Sequence, residues 1–160
     1  MSYLLQDLEI TNKGYMKTNL IYFAYGSNMS TAQMLDRCPD AVKIGVATLP
    51  EYEFMINERG VAGVVEKQGA SVRGVLWQIS AEDKVSLDEW EGANRVQGAY
   101  YLKKIVVTTD TKPVDALVYL ARNTMLGRPK KGYLEKIVSA ARDHGIDEGY
   151  VHRTEAAYKR

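Results

Sequence analysis

Residues able to do chemistry concentrate in two places: Glu91, within Ser86-Leu87-Asp88-Glu89-Trp90-Glu91-Gly92, and the turn Tyr25-Gly26-Ser27-Asn28. Glu91 falls four residues after Leu87, so on a helix the two share one face, the face expected to pack inward. It also occupies the last helical turn, where the macrodipole disfavours negative charge. Burial and dipole both raise a carboxyl pKa, which suits a group that takes and returns a proton near neutrality. The alternative is an exposed glutamate that frays with the helix end, the reading that fits its neighbours Glu82, Asp83, Asp88 and Glu89.

The turn Tyr25-Gly26-Ser27-Asn28 follows the apolar run Leu20-Ile21-Tyr22-Phe23-Ala24 and precedes a helix-like segment. A strand that turns into a helix through small polar residues presents backbone N–H groups near the helix's positive end. That geometry suits a carboxylate, a phosphate or a developing oxyanion. Gly26 permits the dihedrals or the close approach this requires. An ordinary strand-to-helix turn capped by Ser or Asn is the competing reading.

Other chemistries lack their residues. The single Cys38 excludes an internal disulfide framework and a multi-cysteine zinc site, and His144 and His152 are too few for a histidine-rich metal centre. No G-x-S-x-G elbow, Walker loop or G-x-G-x-x-G occurs. Cys38, directly before Pro39, reads as a small buried apolar residue rather than a thiol nucleophile. His144, beside Gly145, reads as a complement to a helix C-terminus. A net charge of +1 offers no field for nucleic acid or an acidic membrane. Without a signal peptide or a spanning apolar run, the expected compartment is the cytoplasm.

The elements that must position these residues follow from periodicity and punctuation. The 160 residues suit one domain with a sizeable core. Residues 1–20 read as an N-terminal extension, of which 1–15 form an appended arm, and 21–160 as the domain. After the first strand, residues 30–37 predict a helix with Ser30 and Gln33 at capping-box spacing, stopped by Pro39. Runs rich in Val and Ile at 41–49, 52–57, 61–67 and 72–79 predict four strands punctuated by Pro50, Gly60 and Gly69. A helix then begins after Ser80 and ends at Gly92, strands follow at 100–109 and 114–120, and helices at 130–143 and 147–159. Short connections between adjacent strands point to a mixed or antiparallel sheet curled into a barrel, with helices outside. The stripe Ile137, Val138 and Ala141 reads as core rather than as an interface between subunits.

In this order the motifs "FAYGSNM", "GVAGVV", "VRGVLWQIS", and "SLDEWEG" followed by "GAYY" resemble the γ-glutamylcyclotransferase family, of the AIG2-like and butirosin type, over residues 21 to at least 133. The resemblance implies an α/β fold of the α+β kind: a small mixed, mainly antiparallel β-barrel with peripheral helices. It also implies a reaction without metal or cofactor, on a small molecule carrying an L-γ-glutamyl group. The substrate's α-amine attacks its own γ-carbonyl, 5-oxoproline forms and the amine leaves, a lyase-like intramolecular acyl transfer. Glu91 matches the family's catalytic glutamate before Gly, and Tyr25, Gly26, Ser27 and Asn28 match its glutamyl-binding loop. Tyr100 fits the family tyrosine after the catalytic Glu, with Tyr101 competing for that place. Tyr133 resembles the late tyrosine that closes the pocket.

Relatives acting on γ-glutamyl-ε-lysine usually carry YGTL in this loop, so Ser27-Asn28 favours the YGSN branch, and residues 57–59 and 121–131 are the expected specificity wall. A non-catalytic binding module for a small molecule or peptide on the same fold is the alternative. The desolvation of Glu91 speaks against it, because a buried carboxylate is unfavourable unless paired or used.

Overall fold

Apolar strands linked by short turns bury most area when their sheet closes on itself, and this chain does so. The computed structural model describes residues 8–10 and 16–159, with side chains from residue 19 onward. Its strands are β1 (Leu8–Ile10), β2 (Met16–Ala24), β3 (Val42–Ile56), β4 (Ala62–Ser80), β5 (Tyr100–Thr108) and β6 (Pro113–Ala121), ordered β1-β2-β4-β3-β5-β6. A further parallel pairing of β2 with β6, at Tyr22 and Leu117, closes β2 to β6 into a five-stranded barrel. The other pairings are antiparallel, so the barrel is mixed and mainly antiparallel, as the sequence led us to expect. Of the expected arm, Leu8–Ile10 pairs with β2, and the remainder of 1–15 lies outside the described residues. β2 itself begins at Met16 and runs across position 20.

The four short strands expected between residues 41 and 79 are instead two long ones. Pro50 does not end β3: it sits at a register shift where Glu51 adopts φ 64°. Opposite it, β4 makes an excursion between Glu66 and Ser71. The Gly69 N–H there donates to the Glu51 carboxylate at 3.0 Å, so the interruption is a bulge that bends the hairpin rather than a turn that divides it.

Among the described residues the helices are α1 (Thr31–Arg37), α2 (Ala81–Glu91), α3 (Tyr133–Asp143) and α4 (Glu148–Tyr158), with a 3₁₀ turn at Ser27–Met29 that the sequence did not announce. Only half of the expected capping box forms at α1. Ser30 Oγ accepts from the Gln33 N–H at 3.3 Å, while the Gln33 side chain reaches back to Ser27 and Asn28. The complete box lies at α2, where Ser80 and Asp83 satisfy each other's backbone N–H. Ser80 Oγ also donates to Asp40 at 2.8 Å, tying the start of α2 to the end of the loop after α1. α3 lays Leu134, Ile137, Val138 and Ala141 into the core, so the stripe read as core is core.

β4 and β2 meet closely just before the turn of interest. A Cβ at Gly74 would stand 2.4 Å from the Ala24 carbonyl oxygen and 2.7 Å from the Phe23 ring. Gly74→Ala is therefore expected to destabilise the fold by about 1–3 kcal/mol through overpacking, read as a lower urea midpoint. An unchanged midpoint would contradict this close approach.

Candidate active site

The position of Glu91 is fixed by the residue after it. Gly92 takes a left-handed conformation (φ 68°). Its N–H bonds to the Glu89 carbonyl and that of Ala93 to the Asp88 carbonyl, a Schellman closure that glycine adopts without steric penalty. Glu91 is thereby the last residue of α2, and its half-buried side chain turns toward the Tyr25–Asn28 turn. Asn28 Nδ2 donates to Glu91 Oε1 at 3.3 Å and to the Tyr22 hydroxyl at 3.0 Å.

The orientation of that amide follows from its neighbours. Asn28 Oδ1 accepts from Gln33 Nε2 at 2.8 Å and from Arg37 Nη1 at 3.0 Å. A guanidinium only donates, so the oxygen end must face Arg37 and the NH₂ end must face Tyr22 and Glu91. Arg37 is itself anchored to α2: its carbonyl accepts from Ser86 Oγ at 2.7 Å, and its guanidinium lies 4.3 Å over the Trp90 ring. Removal from water pushes the Glu91 carboxyl up to about 7, against the opposing pull of Arg37 and Arg59.

The remaining expected residues gather at the same cavity, with differing engagements. Tyr25 lines it, but its hydroxyl donates to the Tyr119 carbonyl at 2.6 Å. Gly26 brings the loop against β4; a Cβ there would meet Ala62 Cβ at 3.2 Å and the Tyr133 hydroxyl at 3.4 Å. Tyr100 donates to the Ala62 carbonyl at 2.6 Å, and Tyr133 accepts from the Ala62 N–H at 3.1 Å, so the two clamp the backbone of one residue from both sides. Tyr100 is buried in the cavity wall, whereas its competitor Tyr101 lies more exposed beneath Arg122. Cys38 is fully buried, its thiol pushed up to about 12 mainly by burial, which makes it a core residue.

The cavity has a volume of about 350 Å³, within the range of small-molecule sites. It also draws on Arg59 and Lys130, which fall within the expected specificity wall, and on Arg37 and Lys136, which the sequence reading passed over. Gln33 and Arg37, four apart on α1, share a face; that spacing was the one signal that could have flagged them. The expected amide cradle is smaller than the sequence implied. The Met29 and Ser30 N–H groups are taken up by the Gly26 and Ser27 carbonyls of the 3₁₀ turn.

A closed mixed barrel thus sets one raised carboxyl among cations and tyrosine hydroxyls at a cavity of small-molecule size. The sequence profile described as "Gamma-glutamyl cyclotransferase, AIG2-like" matches residues 22–139, and the chain belongs to that family. It is 31% identical over 147 residues to the mouse protein named gamma-glutamylcyclotransferase, covering 85% of this chain and 77% of that one. It is 28% identical over 149 residues to the human protein of the same name, at 86% and 78% coverage. Among solved structures, one titled gamma-glutamyl cyclotransferase superposes with a TM-score of 0.79 at 28% identity, covering 86% of this chain and 87% of the other. Among the described residues, no helix is long and apolar enough to cross a membrane.

Folding raises the Glu91 carboxyl from an ordinary 4.5 to about 7, so across that window the native state holds a proton that the unfolded chain has released. Stability therefore falls as pH rises through the window. Glu91→Gln keeps the acceptor for Asn28 and removes the ionisation. It is expected to be more stable than wild type by about 1–3 kcal/mol above neutrality and equal to it near pH ~4. Denaturant melts at the two pH values check this; a constant difference at both would show that ionisation is not its source.

Proposed function

We propose that this chain is a γ-glutamylcyclotransferase in which Glu91 is the general acid and base, converting a γ-glutamyl amine or amino acid into 5-oxoproline and the free amine. The observation that carries the reading is the Glu91 carboxyl, raised to about 7 and turned across the cavity onto Asn28, in a member of this family.

The reaction needs no protein nucleophile, because the attacking amine already belongs to the substrate. Holding such an amine in reach is worth effective molarities of ~10⁵–10⁸ M. The protein's task is to fold the glutamyl chain over, accept a proton from the α-ammonium and donate hydrogen bonds to the γ-oxygen. Ionised Glu91 takes a proton from the α-ammonium. The freed nitrogen attacks the γ-carbonyl carbon, and the tetrahedral oxyanion collapses as the bond to the leaving nitrogen breaks. Two protons depart as the ammonium becomes a lactam N–H, and two reach the leaving nitrogen as it departs as an ammonium. A carboxyl that loads and unloads near neutrality can carry each in turn.

The Tyr133 hydroxyl suits the oxyanion. It accepts from the Ala62 N–H and is further polarised by the Ser27 amide and side chain. With its acceptor sites engaged, its remaining capacity is to donate into the cavity. The surrounding cations, Arg37, Arg59, Lys130 and Lys136, favour a substrate that carries the free α-carboxylate of a glutamyl group.

Incubation with a panel of γ-glutamyl amides, with 5-oxoproline read by mass spectrometry, tests the activity. The logarithm of kcat/KM is expected to rise with pH and level off above about 7, the value for Glu91. Glu91→Gln is expected to lower kcat about 10³-fold while the variant still binds substrate. Tight binding of one ligand by the wild type with no 5-oxoproline from any would make the protein a binding module instead.

A further inference from the structure

Beyond Glu91 the cavity does not end. A second, more open cavity of about 790 Å³ shares Arg59, Trp90, Glu91 and Ala99 with the first. A substrate whose glutamyl part fills the inner cavity therefore has its scissile bond at the shared border and its leaving nitrogen directed outward. The outer cavity has a distinct charge pattern. Arg59, Arg95 and Arg122 line it against a single further carboxylate, Glu58, which accepts from Asn123 Nδ2 at 3.4 Å. Among the described residues none of these three arginines forms an ion pair. Arg122 is held 5.2 Å over the Tyr101 ring, which fixes its plane and leaves its N–H edge available. Trp90 and Met125, 60% and 64% exposed, supply apolar wall between the cations.

We propose that this outer cavity is the leaving-group subsite and that it selects leaving amines carrying two carboxylates: an acidic amino acid, or a short acidic peptide, joined through its nitrogen to the γ-glutamyl carbonyl. The assignment rests on the cyclotransferase reading. Arg95 and Arg122 line the outer cavity and not the inner one, so they offer one guanidinium to each of two carboxylates, and guanidiniums donate to carboxylates in bidentate fashion. A leaving group that is a plain amine would bring no charge to meet these arginines. One that carries a further cation, such as the α-ammonium of a lysine joined through its ε-nitrogen, would meet like charge. An acidic leaving group sets its carboxylates on Arg95 and Arg122 while its nitrogen stays beside Glu91. The volume exceeds that of the inner cavity, so a second residue is accommodated.

The test compares three substrates with one glutamyl part: γ-glutamyl-aspartate, γ-glutamyl-alanine and γ-glutamyl-ethylamide, which carry two, one and no carboxylates on the leaving group. At low salt kcat/KM is expected to fall in that order, by about tenfold in all, the scale of a few exposed charge contacts. High salt is expected to shrink the spread. In Arg95→Gln/Arg122→Gln the spread is expected to collapse toward one, through KM rather than kcat. A fourth substrate, a γ-glutamyl acidic dipeptide, compared with γ-glutamyl-aspartate tells whether peptides or amino acids are preferred. Equal rates for ethylamide and aspartate substrates, or an equal loss on all three in the double variant, overturns the subsite while leaving the enzyme intact. No 5-oxoproline from any substrate overturns the cyclotransferase reading and this proposal together.

Discussion

The contact between Asn28 and Glu91 joins the two halves of the site, and it holds only if the Asn28 amide faces one way. Cations enforce that. Lys136 on α3 donates to Gln33 Oε1, so the Gln33 nitrogen faces Ser27 and Asn28. Arg37 and Gln33 together claim the Asn28 oxygen, which leaves its NH₂ for Tyr22 and Glu91. Side chains from α3, α1, the 3₁₀ turn and α2 thus form one polarised series ending on the carboxyl. A series with a donor-only group at its head has no alternative arrangement of equal energy, so it fixes position as well as orientation.

That series also bears on where Glu91 titrates. Desolvation alone would carry a carboxyl far above neutrality, and a direct ion pair would pull it far below. Neither extreme is met. Arg37 and Arg59 lower the Glu91 carboxyl, yet among the described residues none is ion-paired with it. The arginine nearest in the network engages the Asn28 oxygen and the Trp90 face instead. A cation held one residue away tempers the shift without cancelling it, and the carboxyl settles near 7.

Glu91 and its turn were legible because each rests on local rules: a helix face, a left-handed glycine after the last turn, a strand running into a helix. The barrel was legible from strand count and short connections. Pro50 misled because a proline ends a strand by local rules, while the Glu51–Gly69 contact that converts the break into a bulge joins residues 18 apart. Nothing local distinguishes Tyr100 from Tyr101 either. Adjacent strand residues face opposite sides, and only the pairing of Tyr100 with Ala121 on β6 sets which of them faces inward. Two of the cations around the cavity escaped for a related reason: Arg37 and Lys136 lie on separate helices outside the expected wall, and scattered charges in a sequence do not reveal that the fold gathers them.

The hydroxyl groups of the site complete the argument for one proton carrier. Burial raises Tyr22, Tyr25, Tyr100 and Tyr133 above the ordinary phenol value, so each stays protonated and acts as a donor rather than a base. The Glu91 charge raises all four further. The coupling runs both ways: phenols kept neutral around a carboxyl let that carboxyl ionise without a second anion beside it. A nucleophile in this wall would compete with the substrate's own amine for the same carbonyl. The chain's single cysteine lies instead in the core with its thiol proton held by burial. What the fold supplies is a polarised cavity with one carboxyl raised to about 7, which under the proposed reaction is what a molecule that reacts with itself requires of its surroundings.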